Sequence, residues 1–259
     1  MNSLKTSLAL LGLTSLMMGC GSDKTRYVDV ITEVPVEHPV EYMPVDGYVL
    51  GFWVMDQEEA CDGFCVNDYS AYGNLLYAQS PDYGEPDTAP IGTEAGEIGQ
   101  VLNFNGAYQL STGPDSVLAN TVIGERFTLH VRARSQSEEL GSAVSLGSQR
   151  GQALDLQMNG DTAVLHLPNQ DRRLVIGLPE TDWQELWISS DGDQLQVQLG
   201  CEAVAGFDRA MGQPMLSRGT TGIMVGAGWG SVAQTPLKGE VDMVRLSRQE
   251  EANLFCNQP

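Results

Sequence analysis

Glu240 and Asp242, in the run Gly239-Glu240-Val241-Asp242-Met243-Val244-Arg245-Leu246, put two carboxylates on one side of an extended chain. Such a pair is raw material for acid–base work or for holding a cation. His130, Arg132 and Arg134 share the face opposite Leu129 and Val131 and form a cationic row. That row suits carboxylated or sulfated glycans, and it equally suits pairing with the abundant Asp and Glu. Trp187 has the opposite parity to Leu186 and Ile188, and Trp229 stands in Gly226-Ala227-Gly228-Trp229-Gly230. Each offers a flat ring for stacking on a sugar or for covering an edge of the core. His38, His130 and His166 show no metal-ligand spacing, and no G-x-S-x-G, H-E-x-x-H or phosphate-binding loop occurs. These residues point to recognition rather than bond-breaking.

Charge and cysteines narrow the surroundings. The 259-residue chain carries 34 acidic against 14 basic side chains, a net of −20. A field of that sign repels nucleic acid and anionic headgroups, which excludes nucleic acid as a partner. Of the five cysteines, Cys20 follows an apolar leader, and Cys61, Cys65, Cys201 and Cys256 remain. An even number in an exported chain reads as disulfides. Three pairings are possible; Cys61–Cys65 closes a tight local loop, and Cys201–Cys256 ties a hairpin to the C-terminus. By loop-closure entropy the long bridge contributes about 4 kcal/mol and the short one about 2.

The leader, residues 1–19, has a single charge at Lys5, an apolar run from Leu8 to Met18 and a small residue before Cys20. This is the layout of a secretory signal. The run is shorter than the ~20 residues that a spanning helix needs. Leu16-Met17-Met18-Gly19-Cys20 resembles a bacterial lipobox, which implies a lipid on Cys20, a membrane partner through that lipid and, with Gly21 next, an outer-membrane destination. Residues 20–45 follow as a stalk. Pro35, Pro39 and Pro44 forbid a helix there. At about 3.1 Å per residue, such a segment lifts a domain roughly 60 Å from the lipid.

From residue 46 to 259 the chain is built of short alternating runs broken by Gly, Asp, Asn and Pro. Strands are predicted at Tyr48–Met55, Val101–Phe104, Phe127–Arg134, Ala143–Leu146, Ala153–Met158, Ala163–Leu167, Glu185–Ser190, Leu195–Leu199, Gly222–Val225 and Glu240–Leu246. Asp191-Gly192-Asp193 supplies the turn of the clearest hairpin. Helical periodicity appears only in the last dozen residues. The expectation is an all-β, two-sheet sandwich.

The order of these motifs resembles the laminin G-like group of concanavalin A-like jelly rolls. Gly47 to Asp56 is similar to its opening tryptophan strand, and Asn67 to Asn74 stands where the family has a polar turn. Gly99-Gln100-Val101-Leu102-Asn103-Phe104-Asn105-Gly106, Phe127-Thr128-Leu129-His130-Val131 and the run from Gly239 to Leu246 are similar to its later strands. Arg132 departs from it, standing where the family often has tryptophan, and the Cys61 to Cys65 insert is extra. The resemblance implies a jelly roll and, in some relatives, a structural calcium, here between Asp56 and Asp242. The other reading of Asp242 is a carboxylate satisfied by backbone N–H groups. Retaining glucanases of the same fold continue E-x-D to a third acid, because catalysis needs two carboxylates about 5 to 5.5 Å apart. Here Val244 or Arg245 stands in that place. The sequence therefore predicts a membrane-anchored, non-catalytic binding module for glycan or protein ligands. A structural component of an envelope complex and a glycoside hydrolase-like enzyme are the alternatives.

Overall fold

The computed structural model describes residues 48–55, 64–79, 92–96, 99–106, 108–113, 116–135, 137–148, 151–180, 183–216, 219–229 and 235–249. Cys20, the stalk, Asp56, Cys61, Cys256 and nearly all of the last dozen residues lie outside them. Among the described residues sixteen strands run in order: β1 Val49–Val54, β2 Cys65–Val66, β3 Leu76–Gln79, β4 Gly92–Gly96, β5 Gly99–Asn105, β6 Gln109–Thr112, β7 Arg126–Ser135, β8 Gly141–Ser148, β9 Gly151–Met158, β10 Thr162–Leu167, β11 Arg172–Gly177, β12 Gln184–Asp191, β13 Gln194–Leu199, β14 Glu202–Asp208, β15 Gly222–Val225 and β16 Lys238–Ser247. All ten predicted strands form; eight are longer than predicted, Gly222–Val225 matches, and the first is shorter. Six more were not predicted.

The strands make two antiparallel sheets, a jelly-roll sandwich. One has the order β14-β13-β12-β7-β16-β5-β4, with β1 also paired to β16; the other runs β11-β10-β9-β8-β15-β6-β3-β2. In the first sheet β16 is central. One edge lies on β7, and the other is shared, with β5 along its first half and β1 along its second. Among the described residues no helix is long and apolar enough to cross a membrane.

Alternation places the core. Phe127, Leu129, Val131 and Ala133 of β7, Leu186 and Ile188 of β12, and Val241, Val244 and Leu246 of β16 all point inward. There they meet Leu146, Leu154, Leu156 and Ile223 of the other sheet. Trp53, Phe104 and Phe127 are among the largest fully buried side chains, each worth about 2–3 kcal/mol of apolar burial. The Trp53 ring folds back over Gly51, where a Cβ would stand 2.1 Å from Cη2. Its indole N–H donates to the Asn74 carbonyl at 2.7 Å.

The polar turn after β1 is a knot that holds this corner. Asp68 accepts from the Phe52 and Ser70 backbone N–H groups, both at 2.8 Å, and from the Asn74 N–H at 2.6 Å. The Asn74 amide then donates to Leu50 O at 2.7 Å and accepts from the Leu118 N–H at 3.0 Å. A second local device is the Asp191–Gln194 turn. The Asp191 carboxylate accepts the Asp193 and Gln194 N–H groups, each at 2.8 Å, while Gly192 takes a φ of 100°. Those two bonds hold Asp191 below the usual carboxylate range.

Candidate functional site

The cationic row on β7 lies on the outer face of the first sheet, flanked by β12 and β16, and the structure gives each of its members an acid. Glu240 is directly opposite Arg134 and pairs with it. Between Val241 and Met243 the register shifts, so Asp242 is the extra residue of a β-bulge. The bulge turns its carboxylate onto the Arg132 guanidinium, with the Asp242 side chain wholly buried. His130 hydrogen-bonds Glu185 through Nε2 at 2.8 Å. That bond is the main reason the Glu185 carboxyl sits below its ordinary range; the charges of His130 and Arg132 and a bond from Trp187 act the same way, while burial opposes them.

Both carboxylates that β16 offered to catalysis or to calcium are thus engaged by arginines. The Arg132 guanidinium on Asp242 Oδ2 would compete with a cation for that oxygen. Asp56, its expected companion, lies outside the described residues. Among the described residues no group of three or more His, Cys, Asp or Glu is arranged to hold a metal. Cys65 and Cys201 are both disulfide-bonded; Cys61 and Cys256 are outside the described residues.

Of the two tryptophans singled out in the sequence, Trp187 is buried and Trp229 is half-buried, held in place by its contacts. Trp187 does share the outer face with His130, its register partner, but their rings stack at 3.5 Å with 13° between planes, and Trp187 is only 5% exposed. Trp229 belongs to the other sheet's outer face. It lies on Gly147 and Gly222, a cross-strand pair whose missing side chains make a floor for the indole, and its Nε1 donates to Ser148 O at 2.8 Å. A methyl at either glycine would come within 2.2 Å of the ring. On β9 of the same sheet, Asp155 is fully buried and accepts from Ser142 Oγ at 2.6 Å and Gln157 Nε2 at 2.7 Å. Desolvation raises its pKa despite those bonds and the nearby His166.

The residue that the sequence reading passed over is Trp183, just before β12. Its ring is partly exposed, and the guanidinium carbons of Arg132 and Arg134 lie 5.1 and 4.8 Å from its centroid. Such contacts are worth about 0.5–2 kcal/mol each and fix the ring's attitude. Each partner of the Arg134–Trp183 contact lines a groove. One, of 620 Å³, is lined by Trp183 with Leu178, Pro179, Gln184, Glu185 and Glu202. The other, of 450 Å³, is lined by Arg134 and Glu240 with Asn103, Asn105, Ser137 and Lys238. Arg134 joins the two by stacking on Trp183. A signal for it did exist: Trp183, Glu185 and Trp187 share one parity, and the register that sets Glu185 opposite Arg132 carries Trp183 toward Arg134. Using it requires knowing that β12 pairs with β7, which no local pattern shows. A larger groove of 720 Å³ runs over β13 and β14, lined by Gln194, Gln196, Asp191 and Asp208 but by no tryptophan.

The sequence matches no protein-family model and no curated protein. The fold has solved counterparts. Domain 4 of AbnA, a GH43 extracellular arabinanase from Geobacillus stearothermophilus, solved in complex with arabinotriose, aligns at TM-score 0.55 and 12% identity, over 81% of this chain and 97% of that one. The binding domain of Paraclostridial Mosquitocidal Protein 1 aligns at 0.56 and 10%, over 82% of this chain and 52% of that one. The binding domain of botulinum neurotoxin DC in complex with SialylT aligns at 0.51 and 8%, over 82% and 52%. This chain spans about half the length of those two toxin domains. At such identities the likeness is one of fold: the chain is a β-sandwich jelly roll.

Proposed function

We propose that the chain is a non-catalytic glycan-binding module of the bacterial cell envelope. It is anchored by lipid on Cys20 at the outer membrane, held off by the stalk of residues 20–45, and carries a laminin G-like sandwich whose outer face takes the ligand at Trp183. The observation that carries this reading is a partly exposed tryptophan that lines one groove and is braced by two arginines, one of which lines a second groove. Flat aromatic faces flanked by amide and carboxylate groups suit sugar rings, whose C–H faces stack while their hydroxyls hydrogen-bond. Support comes from the arabinotriose complex of one fold counterpart and the SialylT complex of another. The engagement of Glu240 and Asp242 by arginines supports a binding role over hydrolysis.

A second reading, a structural component of an envelope complex, has its own observation. β11 is an edge strand bearing the exposed Arg172, Arg173 and Val175, the last 68% exposed. Unpaired strand edges are ready templates for a partner's strand. The two readings separate in one experiment, affinity electrophoresis of the purified chain from residue 20 onward through gels containing polysaccharide. Retardation that disappears in Trp183→Ala supports the glycan module. Absence of retardation by any polymer, together with co-purification of one stoichiometric envelope protein, favours the structural component.

A further inference from the structure

We propose that the Trp183 surface selects uncharged polysaccharide and binds an internal stretch of the chain rather than a charged or terminal sugar. This rests on the reading of Trp183 as a glycan platform and adds the class of ligand.

The argument begins with the arginines. Taken as a row in sequence, His130, Arg132 and Arg134 invite an anion. In the fold, Arg132 serves the wholly buried Asp242 and Arg134 serves the nearly buried Glu240. A ligand sulfate or carboxylate drawing off either guanidinium would take from a buried carboxylate the cation paired with it, a loss of the costly kind. His130 is likewise engaged, between Glu185 and the Trp187 ring. Lys238, the other cation lining these grooves among the described residues, makes an exposed pair with Glu139 at 3.2 Å. Among the described residues, the first groove is lined by Glu185 and Glu202 and by no cation. The local balance is therefore acidic, within a chain of net charge −20. Anionic polymers meet repulsion at long range and, at contact, arginines already paired with buried or nearly buried carboxylates.

What the walls do offer is hydrogen bonding. Asn103 and Asn105 bring amides, Ser137 a hydroxyl, and Glu185 and Glu202 carboxylate acceptors. Carboxylates and amides beside an aromatic face are acceptors and donors for neutral hydroxyl groups. The topography gives the second half of the proposal. The two grooves lie on either side of one stacking contact, Arg134 on Trp183. A chain that crosses this contact reaches residues of both grooves, whereas a single terminal sugar reaches those of one.

The test is affinity electrophoresis of the chain from residue 20 onward in gels containing neutral polymers (arabinan, dextran, β-glucan) or anionic ones (heparin, polygalacturonate), at low and high salt. The expected result is retardation by a neutral polymer that salt does not weaken, none by the anionic ones, and at least a tenfold loss in Trp183→Ala. Asn105→Ala, an exposed change in the second groove, should weaken polymer binding by about threefold and guards against a misfolded Trp183 variant. Oligosaccharides of the retained polymer should compete better as they lengthen. Retardation by heparin or polygalacturonate that fades with salt would overturn the neutral class while leaving the glycan reading intact. Competition by the monosaccharide as strong as by a long oligomer would overturn the internal-chain mode. Retardation by no polymer of either kind would remove the proposal together with the glycan reading on which it rests.

Discussion

Replacing Arg132 by methionine removes the cation paired with a carboxylate that has no solvent exposure, and its cost can be worked from the structure. The Asp242 side chain is 0% exposed and that of Arg132 is 13% exposed. Breaking a buried pair from one side costs about 3–5 kcal/mol. The low end applies, because methionine keeps much of the stem packing and the bulge allows some relaxation. We therefore expect a loss of about 3 kcal/mol, which for a domain of this size lowers Tm by about 6–12 °C. Asp242→Asn alone should cost about 2 kcal/mol, and the double variant should recover much of the sum, leaving a coupling energy of about 2 kcal/mol. Urea unfolding followed by tryptophan fluorescence, with disulfides kept oxidised, measures all four corners of the cycle. Because the pair is buried, high salt should change the coupling little. A cost for Arg132→Met below about 1 kcal/mol, the scale of an exposed pair, would refute the reasoning, as would strict additivity of the two changes.

Other outcomes follow from the same structure. Asp155 is buried with a raised pKa, so ionising it opposes folding; its contribution is largest at low pH and is lost as pH rises from its unfolded value through its folded one. Asp155→Asn should therefore gain in Tm relative to the parent as pH increases from acid to neutral, and a difference that is flat or shrinks with pH would contradict this. Asn74→Ala removes an amide that satisfies Leu50 O and the Leu118 N–H, and denaturant melts should show a loss of about 2–4 kcal/mol. Labelled palmitate should enter the wild-type chain in its bacterial host and be absent from Cys20→Ser; equal labelling of both would end the lipid-anchor proposal.

The sandwich was legible because its central strands are strongly alternating: Leu129 and Val131, Leu186 and Ile188, and Leu195 and Val197 each announce a buried face. The six strands not predicted lack that signal. β2 has two residues, β6 reads Gln-Leu-Ser-Thr, and β14 carries small residues on an edge where packing demands little. β11 opens with two arginines, as an edge strand tolerates. At the site, parity located the outer-face residues but not their partners. Pairing of Arg132 with Asp242 joins positions 110 residues apart through a bulge, and bulges leave no mark in an alternating pattern. Trp187 and Trp229 were named for their exposure in a two-faced strand or a loop. One is covered by a stacked histidine and the other rests on paired glycines, contacts made only in three dimensions. Trp183 was passed over because its significance depends on the neighbouring strand.

The most direct test compares three tryptophan variants on one retained neutral polysaccharide, with Kd obtained from gel retardation and folding checked by thermal melting. The account predicts that Trp183→Ala weakens binding at least tenfold with a small change in Tm. It predicts that Trp187→Ala and Trp229→Ala lower Tm yet bind as the parent does in the temperature range where they stay folded. Binding undiminished in a folded Trp183→Ala, or lost in a folded Trp229→Ala, would contradict the assignment of the ligand to the Trp183 surface.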